Sequence, residues 1–259
     1  MRWILALPLL LSAAACDAKP AGNSATENAT ATAAAQPMTL KAADGVTIHG
    51  SLYKAAQPKA LILLFHQAGS SKDEYATIAP RLVQAGYSAL AIDQRAGDGL
   101  FGKNETAAAL GHEADYLEAR PDLQAALDWA RQQKLPIILW GSSYSSSLIF
   151  PLAASDPEGI VALLSFSPGE YFDSDKQMIR RAAAKVNVPV FVASTNSKEE
   201  TGEADPVMAA LPKNPVDVRF VPEHGIHGSS TLIASRNPEG AEANWNAVLA
   251  FLNRVAPGK

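Results

Sequence analysis

The stretch Pro136-Ile137-Ile138-Leu139-Trp140-Gly141-Ser142-Ser143-Tyr144-Ser145-Ser146-Ser147-Leu148-Ile149-Phe150 constrains the fold more than any other part of the chain. Its apolar run is the length of one buried strand and ends in Gly141. After a serine-rich segment the apolar positions resume at Leu148, Ile149 and Leu152 with helical spacing. Strand, sharp turn and helix are therefore expected in that order. Ser143 stands at the apex, flanked two residues away by Gly141 and Ser145, the layout of a nucleophile elbow with its second glycine replaced by serine. Small neighbours are needed because a strained turn leaves no room for side chains beside a nucleophile. The turn would also set the hydroxyl at the positive end of the next helix, where charge developing on a substrate oxygen is stabilised. A run of serines is equally what ordinary helix N-capping uses, so the remaining residues have to decide between a nucleophile and a cap.

With 259 residues and 47% apolar side chains the chain has ample material for a sizeable core, in one large domain or two small ones. The formal net charge of −4, with scattered basic residues, leaves no nucleic-acid footprint and no polybasic membrane patch. Cys16 is the one cysteine, so neither an internal disulfide nor a cysteine metal site is available. At the N-terminus Arg2 precedes the apolar run Trp3 to Leu11, which is too short to span a bilayer and is followed by small residues, as in an export signal. Ser12-Ala13-Ala14-Ala15-Cys16 resembles a bacterial lipobox, in which the cysteine becomes the lipidated first residue of the mature protein. Plain signal cleavage beside an incidental cysteine is the alternative. Residues 1–15 are thus expected to be a lipoprotein-type signal, residues 16–37 a disordered Ala/Thr/Asn-rich tether, and residues 38–259 the folded domain. The expected location is a membrane face outside the cytoplasm.

Within that domain, Met38 to Lys41 and Val46 to Lys54 alternate around Asp44-Gly45 and predict an edge hairpin. Ala60 to Phe65 predicts a strand covered on both faces, ending in His66-Gln67-Ala68-Gly69. Ser71 and Glu74 have the spacing of a capping box for a helix carrying Tyr75, Ile78, Ala79, Leu82 and Val83 on one face, with Pro80 expected to kink it. Ser88 to Ile92 predicts the next strand, closed by Asp93-Gln94-Arg95, and the segment through Gly111 a long surface loop. A helix follows from Pro121. After the elbow, strands are expected at Ile160 to Phe166, Val188 to Ala193 and Val216 to Val221, with helices at Lys176 to Lys185 and after Asn237-Pro238. Alternating strands and helices predict a mostly parallel, doubly wound sheet in a three-layer α/β/α sandwich. Its polar clusters then converge on the carboxyl ends of the strands, where such sheets carry their sites.

A serine hydroxyl is a poor nucleophile until a base takes its proton, and the base needs a partner that fixes its tautomer. Of the five histidines, His49 and His112 fall on an edge strand and in the long loop, and His66 is placed to brace the loop that it opens. His224 and His227 lie in a loop directly after the last strand. His227 is favoured, since Gly225 and the extra residues let it reach back over the sheet and Gly228 allows a tight turn. Two neighbouring histidines also suggest a metal, but no third ligand stands near them.

From Met38 to Pro257 these residues resemble the α/β-hydrolase superfamily: His66-Gln67-Ala68-Gly69 at the oxyanion loop, Asp93-Gln94-Arg95 where Asp-x-Arg is frequent, Gly141 to Ser145 at the elbow, and His227-Gly228 near the end. With only about twenty residues between the strands at Ser165 and Val190, the chain is most similar to small, lidless dienelactone-hydrolase-like or prolyl-oligopeptidase-like serine hydrolases without a cap domain. Ser145 and Gln67 stand where the family has glycines. The resemblance implies a triad acid after the strand ending at Ala193, where Glu199, Glu200, Glu203 and Asp205 are candidates; Glu199 is chosen on reach, Glu200 is second, and Glu170 is the outside candidate. It implies acyl transfer from a small-molecule ester by Ser143, with His227 as base and the N–H groups of Tyr144 and of Ala68 or Gln67 as the oxyanion hole. No cofactor is required. A serine peptidase, or a binding module that has lost catalysis, are the alternative functions.

Overall fold

The computed structural model describes residues 34–258, so the expected signal, Cys16 and most of the tether lie outside the described residues. The first strands are β1 (Gln36–Lys41), β2 (Thr47–Tyr53) and β3 (Leu61–Phe65), followed by α1 (Ile78–Gln84), β4 (Ser88–Ile92), α2 (Glu105–Leu110) and α3 (Arg120–Gln132). Then come β5 (Ile137–Ser142), α4 (Tyr144–Ser155), β6 (Ile160–Phe166), α5 (Met178–Ala183), β7 (Val190–Ala193), α6 (Lys198–Ala210), β8 (Val218–Phe220) and α7 (Ala241–Val255). Among the described residues these make one eight-stranded sheet in the order β1-β2-β4-β3-β5-β6-β7-β8. The strands from β4 across to β8 pair in parallel, while β1 and β2 join antiparallel at one edge. Regular structure begins at Gln36, two residues ahead of the expected boundary.

The period-two geometry of a strand explains why β3 is apolar throughout. Leu61, Leu63 and Phe65 face a core built with Leu123, Ala126 and Leu127 of α3 and Leu148 and Ile149 of α4. Ile62 and Leu64 face the opposite core, with Ile78 and Leu82 of α1 and Trp245, Val248 and Phe251 of α7. Two covered faces give three layers, as expected. Residues 167–189 between β6 and β7 hold only α5, and no cap domain is present among the described residues.

Three local expectations are corrected. Pro80 does not kink a longer helix. The segment splits into a 3-10 turn at Lys72–Tyr75 and a helix that starts afresh at Ile78, which leaves Pro80 in the first helical turn, where its missing N–H has no intrahelical partner to lose. The Ser71–Glu74 capping box does not close either. Ser71 Oγ accepts from Asp73 N–H, while the Glu74 side chain turns into the protein. The surface loop after β4 contains α2, capped by Asn104, and α6 forms where no apolar stripe announces it, because Ala204 and Val207 find burial against the neighbouring elements.

Candidate active site

Ser143 sits between β5 and α4 with φ 59° and ψ −124°, one of three non-glycine residues with positive φ among those described. Such backbone costs on the order of 1–3 kcal/mol and persists only where its surroundings over-determine it. Here they do. Ser143 N–H donates to the Phe166 carbonyl at 2.8 Å. The Ser145 hydroxyl accepts from Ser142 N–H at 2.9 Å and donates to the Phe65 carbonyl at 2.7 Å, so the serine in the glycine's place ties the turn to β3. Gly141 admits no substitute, since a Cβ there would stand 2.4 Å from Ser146 Cα. The nucleophile candidate is 8% exposed, and the Tyr144 N–H opens α4, where the helix itself supplies no acceptor.

The histidine loop after β8 is docked on the residues flanking Ser143. Gly228 N–H donates to Ser167 Oγ at 2.9 Å and Ser229 N–H to Ser142 Oγ at 2.8 Å. Gly228 has φ 66°, and a Cβ on it would meet Ser142 Oγ at 2.5 Å, so the tight turn read from the sequence requires glycine here. The His227 ring directs Nδ1 to Glu200 Oε1 at 2.7 Å. Glu200 is in the first turn of α6, and its other oxygen accepts from Thr195 N–H at 2.8 Å and Ser167 Oγ at 2.7 Å. Burial alone would raise this carboxyl, but the His227 contact and these two donors hold it down at about 2. A carboxylate so placed keeps the proton of the neutral imidazole on Nδ1 and leaves Nε2 as an acceptor. Among the described residues no direct hydrogen bond joins Ser143 Oγ and His227.

Glu199, the acid preferred on reach, is exposed. Consecutive helical residues point about 100° apart, so when Glu200 faces the sheet edge Glu199 cannot. The other candidates are occupied elsewhere: Glu203 accepts from Glu170 N–H, Glu170 caps α5 through the N–H groups of Ile179 and Arg180, and Asp205 pairs with Arg219. His224 lies between Glu223 and Glu239 and is not brought to Ser143.

In the loop after β3, His66 is fully buried and neutral, with burial pushing its pKa down. Its Nε2 accepts from Gln94 N–H at 2.9 Å, so the proton is on Nδ1, which donates to the Gln67 carbonyl at 2.8 Å. His66 therefore braces the loop. The Gln67 N–H is donated to Glu74 Oε2 at 2.8 Å and so is not available to an oxyanion, which leaves the N–H groups of Ala68 and Tyr144 as the candidate donors. Glu74 and Ser167 were not legible as parts of the site, and Ser142 only as one residue of the elbow: their spacing signals a cap or a strand end, and their partners lie far away in sequence. Beside the loop a cavity of about 990 Å³ is lined by Gly69, Asn104, His112 and Tyr116 among others. One of its walls, Tyr116, stacks its ring on the buried Tyr144 at 4.5 Å.

No curated protein matches the chain. Among solved structures, a dienelactone hydrolase from Anabaena variabilis superposes with TM-score 0.68 at 18% identity, covering 87% of this chain and 99% of that one. A Pyrococcus furiosus esterase gives 0.63 at 17%, covering 86% and 91%. A cold-adapted esterase from an Arctic intertidal metagenomic library gives 0.64 at 21%, covering 86% and 94%. At these identities the likeness is one of fold. The family model described as "Serine aminopeptidase, S33" matches residues 56–216, from ahead of β3 to ahead of β8 and including both Ser143 and Glu200. As that match spans more than half of the chain, the protein belongs to this family of α/β hydrolases.

Proposed function

We propose that the chain is an exported serine hydrolase that cleaves small carboxylic esters through Ser143, His227 and Glu200. One observation carries the reading: a strained serine at a strand-to-helix turn shares its flanking residues with a loop whose histidine is gripped by a carboxylate. In this mechanism Ser143 Oγ attacks the ester carbonyl as His227 Nε2 takes its proton, and Glu200 balances the imidazolium. The tetrahedral oxyanion accepts from Ala68 and Tyr144 N–H at the positive end of α4. His227 returns the proton to the departing alcohol, and water then frees the acyl group by the same steps in reverse. The Ser143–His227 hydrogen bond, open without substrate, tightens when the site fills. Three fold neighbours, two named esterases and one a dienelactone hydrolase, favour esters over amides as substrates. The family's own description favours a second reading, an aminopeptidase using the same chemistry.

Purified mature protein is expected to hydrolyse short-chain nitrophenyl esters faster than aminoacyl nitroanilides. A fluorophosphonate should label it at Ser143, and Ser143→Ala should abolish both labelling and turnover. The reverse substrate preference selects the peptidase. Labelling that survives Ser143→Ala removes the nucleophile assignment, and a folded protein inert to probe and substrates alike is the binding module. The export part of the reading rests on the apolar run before Cys16 and the lipobox-like residues around it, which together imply a lipid anchor.

A further inference from the structure

Glu74 takes no part in the acyl transfer outlined above, yet it is 1% exposed and joins three loops of the site. Oε2 accepts the Gln67 N–H at 2.8 Å, and Oε1 accepts the Ser142 hydroxyl at 2.7 Å and the Gln67 side-chain amide at 3.3 Å. The same Ser142 oxygen accepts Ser229 N–H from the histidine loop. One carboxyl group thus anchors the loop after β3, the residue before Ser143 and, through that residue, the segment after His227. Burial pushes it up to about 7 against the donors from Gln67 and Ser142 and, when that ring is protonated, the charge of His227, so its desolvation is opposed by contacts within the site itself.

The geometry points to Glu74 as a positioning residue for the oxyanion hole, acting through Gln67 and Ser142. A trans peptide holds its N–H and C=O on opposite sides of one plane. The Gln67 carbonyl is gripped by His66 Nδ1–H at 2.8 Å and by Ser70 N–H at 3.3 Å, which sets the direction of the Ala68 N–H across that plane. Glu74 grips the plane before it through Gln67 N–H, so two consecutive peptides are held and the Ala68 N–H, which belongs to the second, cannot swing. On the elbow side, Ser142 precedes the strained Ser143, and its hydroxyl is oriented by donating to Glu74 while accepting from Ser229. Both halves of the hole, Ala68 N–H and Tyr144 N–H, are therefore referred to one buried group. That group touches no substrate, and its effect falls on the transition state, because hydrogen bonds to the oxyanion strengthen only as charge develops there.

This inference rests on the serine-hydrolase reading, and the test separates the two. Glu74→Ala, Glu74→Gln and Ser142→Ala are compared with the parent on a nitrophenyl ester, with the folded, reactive fraction counted by exhaustive fluorophosphonate labelling. Glu74→Ala should lower kcat per labelled site by at least about 10-fold with KM within about twofold, the pattern of an interaction made in the transition state. Glu74→Gln should recover part of the loss, since its carbonyl oxygen can still accept Gln67 N–H while its amide donates to Ser142 Oγ. Ser142→Ala should lower kcat without adding fully to Glu74→Ala in the double variant. Should Glu74→Ala fail to fold, the isosteric Glu74→Gln and Ser142→Ala decide. Full kcat per labelled site in both, or a change confined to KM, overturns the positioning role. Activity retained in Ser143→Ala overturns the serine-hydrolase reading instead.

Discussion

At the residue scale two carboxyls of the site are pushed in opposite directions, and the difference is testable. Glu200 is held at about 2, because His227, Thr195 and Ser167 all favour its charged form over the burial that opposes it. Glu200→Gln removes the acceptor that orients the imidazole and should lower kcat by about 10²- to 10⁴-fold with little change in KM. Glu199→Gln should leave kcat near the parent value, and equal losses in the two variants would overturn the assignment of Glu200. Glu74 stands the other way, raised by burial to about 7 from an ordinary 4.5. Between those values the folded protein binds the proton that the unfolded chain has released, so this group's contribution to stability falls as pH rises from 4.5 to 7. The full swing is on the order of 3 kcal/mol. Glu74→Gln should therefore flatten the fall in Tm between pH 5 and pH 8, which calorimetry at matched ionic strength reads directly. Glu200 has the converse sign: its contribution is complete above the ordinary 4.5 and is lost as pH falls toward 2.

At the scale of elements, the β5–α4 turn combines a residue that must be small with one that must be strained. Gly141 has no room for a Cβ beside the backbone of Ser146, whereas Ser143 holds a positive φ by force of its neighbours. Gly141→Ala should destabilise the protein by about 1–3 kcal/mol and lower the rate of fluorophosphonate labelling, since the elbow has to open to admit the methyl group. A parent-like Tm together with a parent-like labelling rate would mean that the turn tolerates movement. The elements around it were legible to different degrees. β3, β5 and α3 follow from period alone, because each is buried on the faces that its apolar positions mark. The break before α1 and the existence of α6 were not legible, because Pro80 reads as a kink within one helix and no apolar stripe marks α6, which forms where Ala204 and Val207 find burial.

At the scale of the whole molecule, the sheet brings the ends of β3, β5, β6 and β7 and the loop beyond β8 to one edge, which is what lets residues 66–74, 142–143, 167, 200 and 227 meet. No helix among the described residues is long and apolar enough to cross a membrane. The proposed attachment through Cys16 makes a separate prediction. Lipid chains on the mature cysteine would bury their methylenes at about 0.8 kcal/mol each, and more than one chain gives stable anchoring. Cys16→Ser should move the protein to the soluble fraction or stall its processing, with ester hydrolysis per labelled site unchanged. Retention in salt-washed membranes would place the anchor elsewhere.

By itself the sequence determined the layers, the strand-turn-helix at Ser143 and the histidine loop, because these depend on residues close together: an apolar run, a glycine, a serine, a histidine before a second glycine. Only the tertiary structure decided which carboxylate meets His227, since Glu199 and Glu200 are equivalent in composition and differ only in the face of α6 on which they stand. Only it withdrew the Gln67 N–H from the hole and turned Glu74 from a helix cap into a buried link between loops. Hydrogen bonds across 68 and 87 residues of sequence, from Ser142 to Glu74 and to Ser229, leave no periodic mark along the chain. They exist because a parallel sheet delivers the carboxyl ends of distant strands to the same edge.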